Sequence, residues 1–129
     1  MGNLRPTNIQ FNYLYRDAGN YKVYGYIVLS NPTNRSLDEL DLEIKKHLIS
    51  EQYFDPDKVG IPRLQHKRWN SELDHTWNEY SCIEYTSETA GISLTIDFLL
   101  EKLKLLQENS VPVKLKKSWV RMIFRRHCD

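Results

Sequence analysis

Residues Phe11 to Ser30, FNYLYRDAGNYKVYGYIVLS, hold five of the chain's eight tyrosines and constrain the fold more than any other stretch. Ile9, Phe11, Tyr13 and Tyr15 alternate with Gln10, Asn12, Leu14 and Arg16. That period of two marks a half-buried strand, because successive side chains leave a strand on opposite faces. Asp17-Ala18-Gly19-Asn20 reads as a turn. Gly and Asn accept positive φ at little cost, and an Asp side chain can bond backbone N–H groups two residues ahead. With a return strand from Tyr21 to Ser30, the stretch is expected to form a β-hairpin.

The turn also carries a polar cluster. Arg16, Asp17, Asn20 and Lys22 fall within seven residues, flanked by Tyr15, Tyr21 and Tyr24. A guanidinium, an ammonium, a carboxamide and several phenols suit an anionic or planar ligand, held by charge-assisted hydrogen bonds and stacking. The plainer alternative is that Arg16 and Asp17 pair with each other or cap the turn, and that strand tyrosines are ordinary amphipathic packing.

A chain of 129 residues, 40% hydrophobic, supports one core and so a single domain over 1–129. The absence of a long apolar run and of a signal-like leader gives the expectation of a cytoplasmic protein without membrane contact. Cys82 and Cys128 form neither a disulfide framework nor a metal knuckle, and both are expected to be reduced.

Charge is split along the chain. Residues 1–110 hold twelve Lys/Arg against sixteen Asp/Glu, while residues 111–129 hold six against one. A basic tail invites nucleic acid. An acidic body would oppose that encounter, and Leu115, Trp119, Met122, Ile123 and Phe124 interleave with the cations. The tail is therefore expected to pack on the body or at an oligomer interface, with at most weak nucleic-acid binding.

Ser36-Leu37-Asp38-Glu39 is a capping box that opens a helix, and Leu37, Leu40, Ile44 and Leu48 give it one apolar stripe. Residues 51–70 read as an ordered loop pinned by Tyr53 and Phe54, with Arg63, His66, Lys67, Arg68 and Trp69 lending it a basic character. Ser93 is a suitable N-cap for a second helix from Leu94 to Asn109, whose Ile96, Leu99, Leu100, Leu103 and Leu106 form a wide stripe for the sheet or for a second copy. The expected fold is α+β: a small antiparallel sheet of three or four strands, the hairpin plus one or two more, packed against helices at about 36–50 and 94–109.

Asp74-His75-Thr76-Trp77-Asn78-Glu79 is the second polar constellation and leads into a strand, Tyr80 to Thr86. A histidine near carboxylates suits acid-base work, and Trp77 could stack on a base or sugar. The plainer alternative has Asp74 orienting His75 in a turn and Trp77 in the core. A lone His-Glu pair lacks the further ligands of a metal site, so no metal and no cofactor is expected.

The motifs Tyr13-x-Tyr15-Arg16-Asp17-Ala18-x-Asn20-Tyr21-Lys22, Glu51-x-Tyr53-Phe54, Val59-x-Ile61-Pro62 and Asp74-His75-x-Trp77-x-Glu79 together resemble a family of small uncharacterised bacterial proteins. The resemblance covers roughly residues 9–86. It implies a compact cytosolic α+β protein of bacteria and their mobile elements, and supplies no chemistry.

Walker, nucleophile-elbow and Gly-rich phosphate patterns are absent. The leading functional expectation is a non-enzymatic module for a small anionic or nucleotide-like ligand, using Arg16, Asp17, Asn20, Tyr21, Lys22, His75, Trp77 and Glu79. One alternative is a phosphodiester or glycosidic hydrolase with His75 and Glu79 as acid and base and Asp17 orienting. The other is a protein-interaction adaptor, with homo-oligomerisation covering the leucine-rich helix and the tail.

Overall fold

The computed structural model describes residues 7–17, 19–65, 77–91 and 94–109. The chain runs β1 (Asn8–Arg16), β2 (Lys22–Leu29), α1 (Leu37–Lys46), β3 (Tyr53–Phe54), α2 (Pro56–Val59), β4 (Asn78–Thr86) and α3 (Ile96–Asn109). The strands form one antiparallel sheet in the order β2-β1-β4-β3. This is the α+β architecture that the alternating and helical periodicities predict.

The core lies on one face of that sheet. Ile9, Phe11 and Tyr13 of β1 point into it, as period-two alternation requires, and meet Leu40 and Ile44 of α1 and Ile96, Leu99, Leu100 and Leu103 of α3. Aromatic rings fill the centre. Phe11 packs edge-on against Phe54 at 5.7 Å between centroids and tilted against Tyr80 at 5.3 Å, arrangements that the ring quadrupoles favour.

Ser36 caps α1 as expected, its Oγ accepting from the Glu39 N–H at 3.2 Å. Glu39 turns its own carboxylate to Arg35 instead of back to the cap. Arg35 also reaches Glu43 at 2.7 Å and Asp97 at 3.5 Å, tying α1 to the start of α3. The helix stops at Lys46, short of residue 50, because the chain reverses through Ser50 and Glu51 at positive φ to bring Tyr53 back onto Ile49.

Residues 51–65 are more regular than a loop. Tyr53 and Phe54 add an edge strand to β4, and Asp55 caps the single turn of α2, which Gly60 ends in the left-handed region at φ 81°. The α3 N-cap is Thr95, not Ser93: its Oγ1 accepts from the Phe98 N–H, while the Ile96 N–H donates to Ser30 O. Two local signals compete there, and the bridge to β2 selects Thr95. Ser93 lies outside the described residues, as do residues 66–76 and 110–129. The expectations for His66, Lys67, Arg68, Trp69, His75 and the basic tail fall there too.

Register between β1 and β4 slips once. Asn12 faces Cys82 but Tyr13 faces Tyr80, leaving Ser81 as the extra residue of a bulge. A strand alternates faces at every step, so this one residue inverts everything beyond it. Tyr80 turns into the core, where its hydroxyl donates to Asp41 at 2.6 Å, and Glu79 turns to the opposite face. Cys82 is disulfide-bonded, against the expectation that it is reduced, while Cys128 lies outside the described residues.

Candidate functional site

Arg16 and Glu79 meet on the sheet face opposite the core. Cross-strand partners share a face, and Glu79 pairs with Leu14 of β1 on one side and Tyr53 of β3 on the other, one step from Arg16. The guanidinium grips the carboxylate with two bonds: Nε donates to Oε2 at 3.0 Å and Nη2 to Oε1 at 3.0 Å. Both side chains are buried, at 7% and 3% exposure. A buried carboxylate and guanidinium tolerate loss of water only when paired and hydrogen-bonded in this way.

The turn completes the arrangement. Asn20 sits in the left-handed region at φ 69° and accepts from Arg16 Nη1 at 2.7 Å. Asp17 holds the turn itself. Its Oδ1 accepts from the backbone N–H groups of Gly19 and Tyr21, both at 2.9 Å, and so shapes the turn that presents Asn20. Of the two plainer alternatives, capping of the turn by Asp17 is observed.

Two residues that the sequence did not place at the site also lie beside it. Tyr53 stands opposite Glu79, and burial together with the nearby carboxylate pushes its phenol well above the ordinary tyrosine range, with Arg16 opposing the shift. Asn78 clamps the loop before it: its side chain accepts from the Leu64 N–H at 3.0 Å and donates to the Leu64 carbonyl at 3.1 Å. Asn78 lies inside the polar constellation read from the sequence, so its composition carried that signal. Tyr53 offered only an apolar one.

Arg16, Asn20 and Glu79 are thus brought together, with Asp17 supporting the turn. Trp77, partly buried, precedes Glu79 by two residues, and His75 is outside the described residues. Lys22 opens β2, and Tyr21, just before it, is 70% exposed. Lys22 is the cross-strand partner of Arg16 and shares its face, followed on that face by Tyr24 and Tyr26. Tyr24 and Tyr26 are 62% and 50% exposed.

Chemically, the cluster is a brace. Glu79 turns both oxygens to Arg16 and is nearly sealed from solvent. The exposed groups beside it are a primary amine and flat phenol rings. Among the described residues, no three His, Cys, Asp or Glu side chains gather as a metal would require, and no helix is long and apolar enough to cross a membrane.

Comparison with family models, with curated proteins and with solved structures finds no match.

Proposed function

We propose that the chain is a non-enzymatic binding module for a small anionic, nucleotide-like ligand, received on the outer face of the β1–β2 hairpin. The observation that supports it is the row Lys22, Tyr24, Tyr26 on one face of β2, backed by the buried Arg16–Glu79–Asn20 brace. Lys22 supplies the cation for a phosphate or carboxylate, and Tyr24 supplies an exposed ring for a base or other planar group. The brace holds both on a rigid scaffold, which lowers the entropy lost on binding.

Arg16 changes role in this reading. Its guanidinium is committed to Glu79 and Asn20, so it orients the hairpin and adds positive potential behind Lys22 without touching the ligand. The hydrolase alternative needs Glu79 as an acid or base and finds it enclosed.

The test is titration of the full chain with a panel of nucleoside monophosphates and cyclic nucleotides, followed by amide chemical shifts and melting temperature. Saturable shifts at Lys22 and Tyr24, weakened about tenfold by Lys22→Ala or Tyr24→Ala, are expected; tenfold corresponds to roughly 1.4 kcal/mol, within the range of one ionic or stacking contact. A flat response across the panel rejects the reading. Conversion of the nucleotide in place of intact recovery would transfer support to the hydrolase.

A further inference from the structure

We infer that β2 is the docking edge for a second copy of this chain, the two strands pairing antiparallel about a two-fold axis at Tyr24. In the sheet order β2 is outermost, and among the described residues no element pairs with its free side between Lys22 and Val28. The direction of its backbone groups follows from the turn. The Asp17 N–H donates to Tyr21 O, so these two form a hydrogen-bonded pair. Antiparallel alternation then makes Tyr15–Val23, Tyr13–Gly25 and Phe11–Ile27 bonded pairs as well. Lys22, Tyr24, Tyr26 and Val28 consequently point their N–H and C=O groups away from β1. Ser30, next in that series, shows what the edge does when covered: its carbonyl accepts from the Ile96 N–H at 2.9 Å.

Sheet edges in monomers are ordinarily blunted by proline, bulges, inward charges or covering elements. β2 is eight residues long, KVYGYIVL, with no proline, one lysine and no break in its register with β1. The α3 stripe, expected to meet the sheet or a second copy, meets the protein's own core through Ile96, Leu99, Leu100 and Leu103.

Self-complementarity selects a second copy over an arbitrary extended peptide. With the axis at Tyr24, Lys22 of one copy lies opposite Tyr26 of the other. The Tyr26 hydroxyl donates to the Glu88 carboxylate at 3.2 Å, so the incoming ammonium meets an aromatic ring and an acid together. A two-fold axis satisfies this contact twice and sets Tyr24 against its own copy. The four-stranded sheet becomes one continuous sheet of twice that number, its outer face lined by Tyr24 and Tyr26 from both copies. The argument stands on backbone direction and charge, independent of any ligand.

Sedimentation equilibrium of the full chain over a wide concentration range tests it. The unaltered protein is expected to be a dimer. Tyr24→Pro removes an outward-pointing donor and the ring at the axis while leaving the bonds between β1 and β2 in place, so it should yield a monomer that retains its circular dichroism. Lys22→Glu should weaken the dimer about tenfold or more by opposing Glu88, and adding Glu88→Lys should restore it. If Tyr24→Pro fails to fold, the charge-swap series decides alone. A monomeric parent protein, a folded Tyr24→Pro that remains dimeric, or a charge reversal that Glu88→Lys does not rescue would each overturn the inference.

Discussion

Arg16 and Glu79, 63 residues apart in sequence, form a two-bond ion pair on the face of the sheet away from the core. Removing one partner strands the other's charge in a buried place. Glu79→Ala or Arg16→Ala should therefore cost about 3–5 kcal/mol in urea unfolding, whereas replacing both by apolar residues of similar volume should cost much less. Equal costs for the single and double replacements would mean that the pair is solvated in solution.

Asn20 does two things, and two substitutions separate them. Asn20→Gly keeps access to φ 69° but loses the bond to Arg16, at about 1.5–3 kcal/mol for a hydrogen bond to a charged group. Asn20→Ala loses the bond and also meets the left-handed penalty, about 1 kcal/mol more. Denaturation midpoints should fall in the order Asn, Gly, Ala.

Gly25 is packed tightly by Leu64. A Cβ at residue 25 would lie 2.8 Å from Leu64 Cδ2 and 3.1 Å from Cδ1. Because those atoms end a flexible side chain, Gly25→Ala should be absorbed by a rotation, while Gly25→Val should destabilise by about 1–3 kcal/mol. Leu64→Ala should relieve most of the penalty of Gly25→Val, and a double-mutant cycle measures that coupling.

The buried phenols predict an alkaline limit to stability. Burial pushes Tyr13 up to about 12 from the ordinary 10.0, and Tyr53 is raised in the same sense. A raised acid favours the folded state in its neutral form, so this stabilisation is complete below pH 10.0 and is lost as pH climbs toward about 12. Phenolate absorbance from these two tyrosines should appear together with the loss of circular dichroism. Tyr13→Phe should flatten the alkaline decline, at the neutral-pH cost of its 2.6 Å bond to Pro62 O, about 1 kcal/mol.

Local patterns were legible in the sequence wherever neighbours along the chain decide the outcome. Alternation over Ile9, Phe11 and Tyr13 identified the core face of β1, because side-chain direction in a strand depends only on position parity. Ser36 opened α1, because its hydroxyl reaches an amide three residues on. Asp17 shaped its turn for the same short-range reason. The stripes of Leu40 and Ile44, and of Leu99 and Leu103, met the sheet as their spacing required.

The partners of the polar groups were decided elsewhere. Arg16 had Asp17 beside it in the chain and took Glu79 instead, a choice that no local rule contains. It depended on β4 lying next to β1 and on Ser81 bulging between Asn12 and Tyr13, so that Glu79 and Tyr80 exchanged faces. What each face offers favours the exchange: the core accepts the Tyr80 ring with Asp41 at its hydroxyl, and the outer face offers Glu79 a guanidinium. Tyr53 and Phe54 became a strand only because β4 was there to pair with them. The hairpin, the helices and the face that turns inward are each set by residues within one turn or one strand of each other, and so were readable from local pattern. Tertiary structure alone decided the register between strands, and through it which buried charges meet, because a single extra residue reverses every face beyond it while leaving local preferences unchanged.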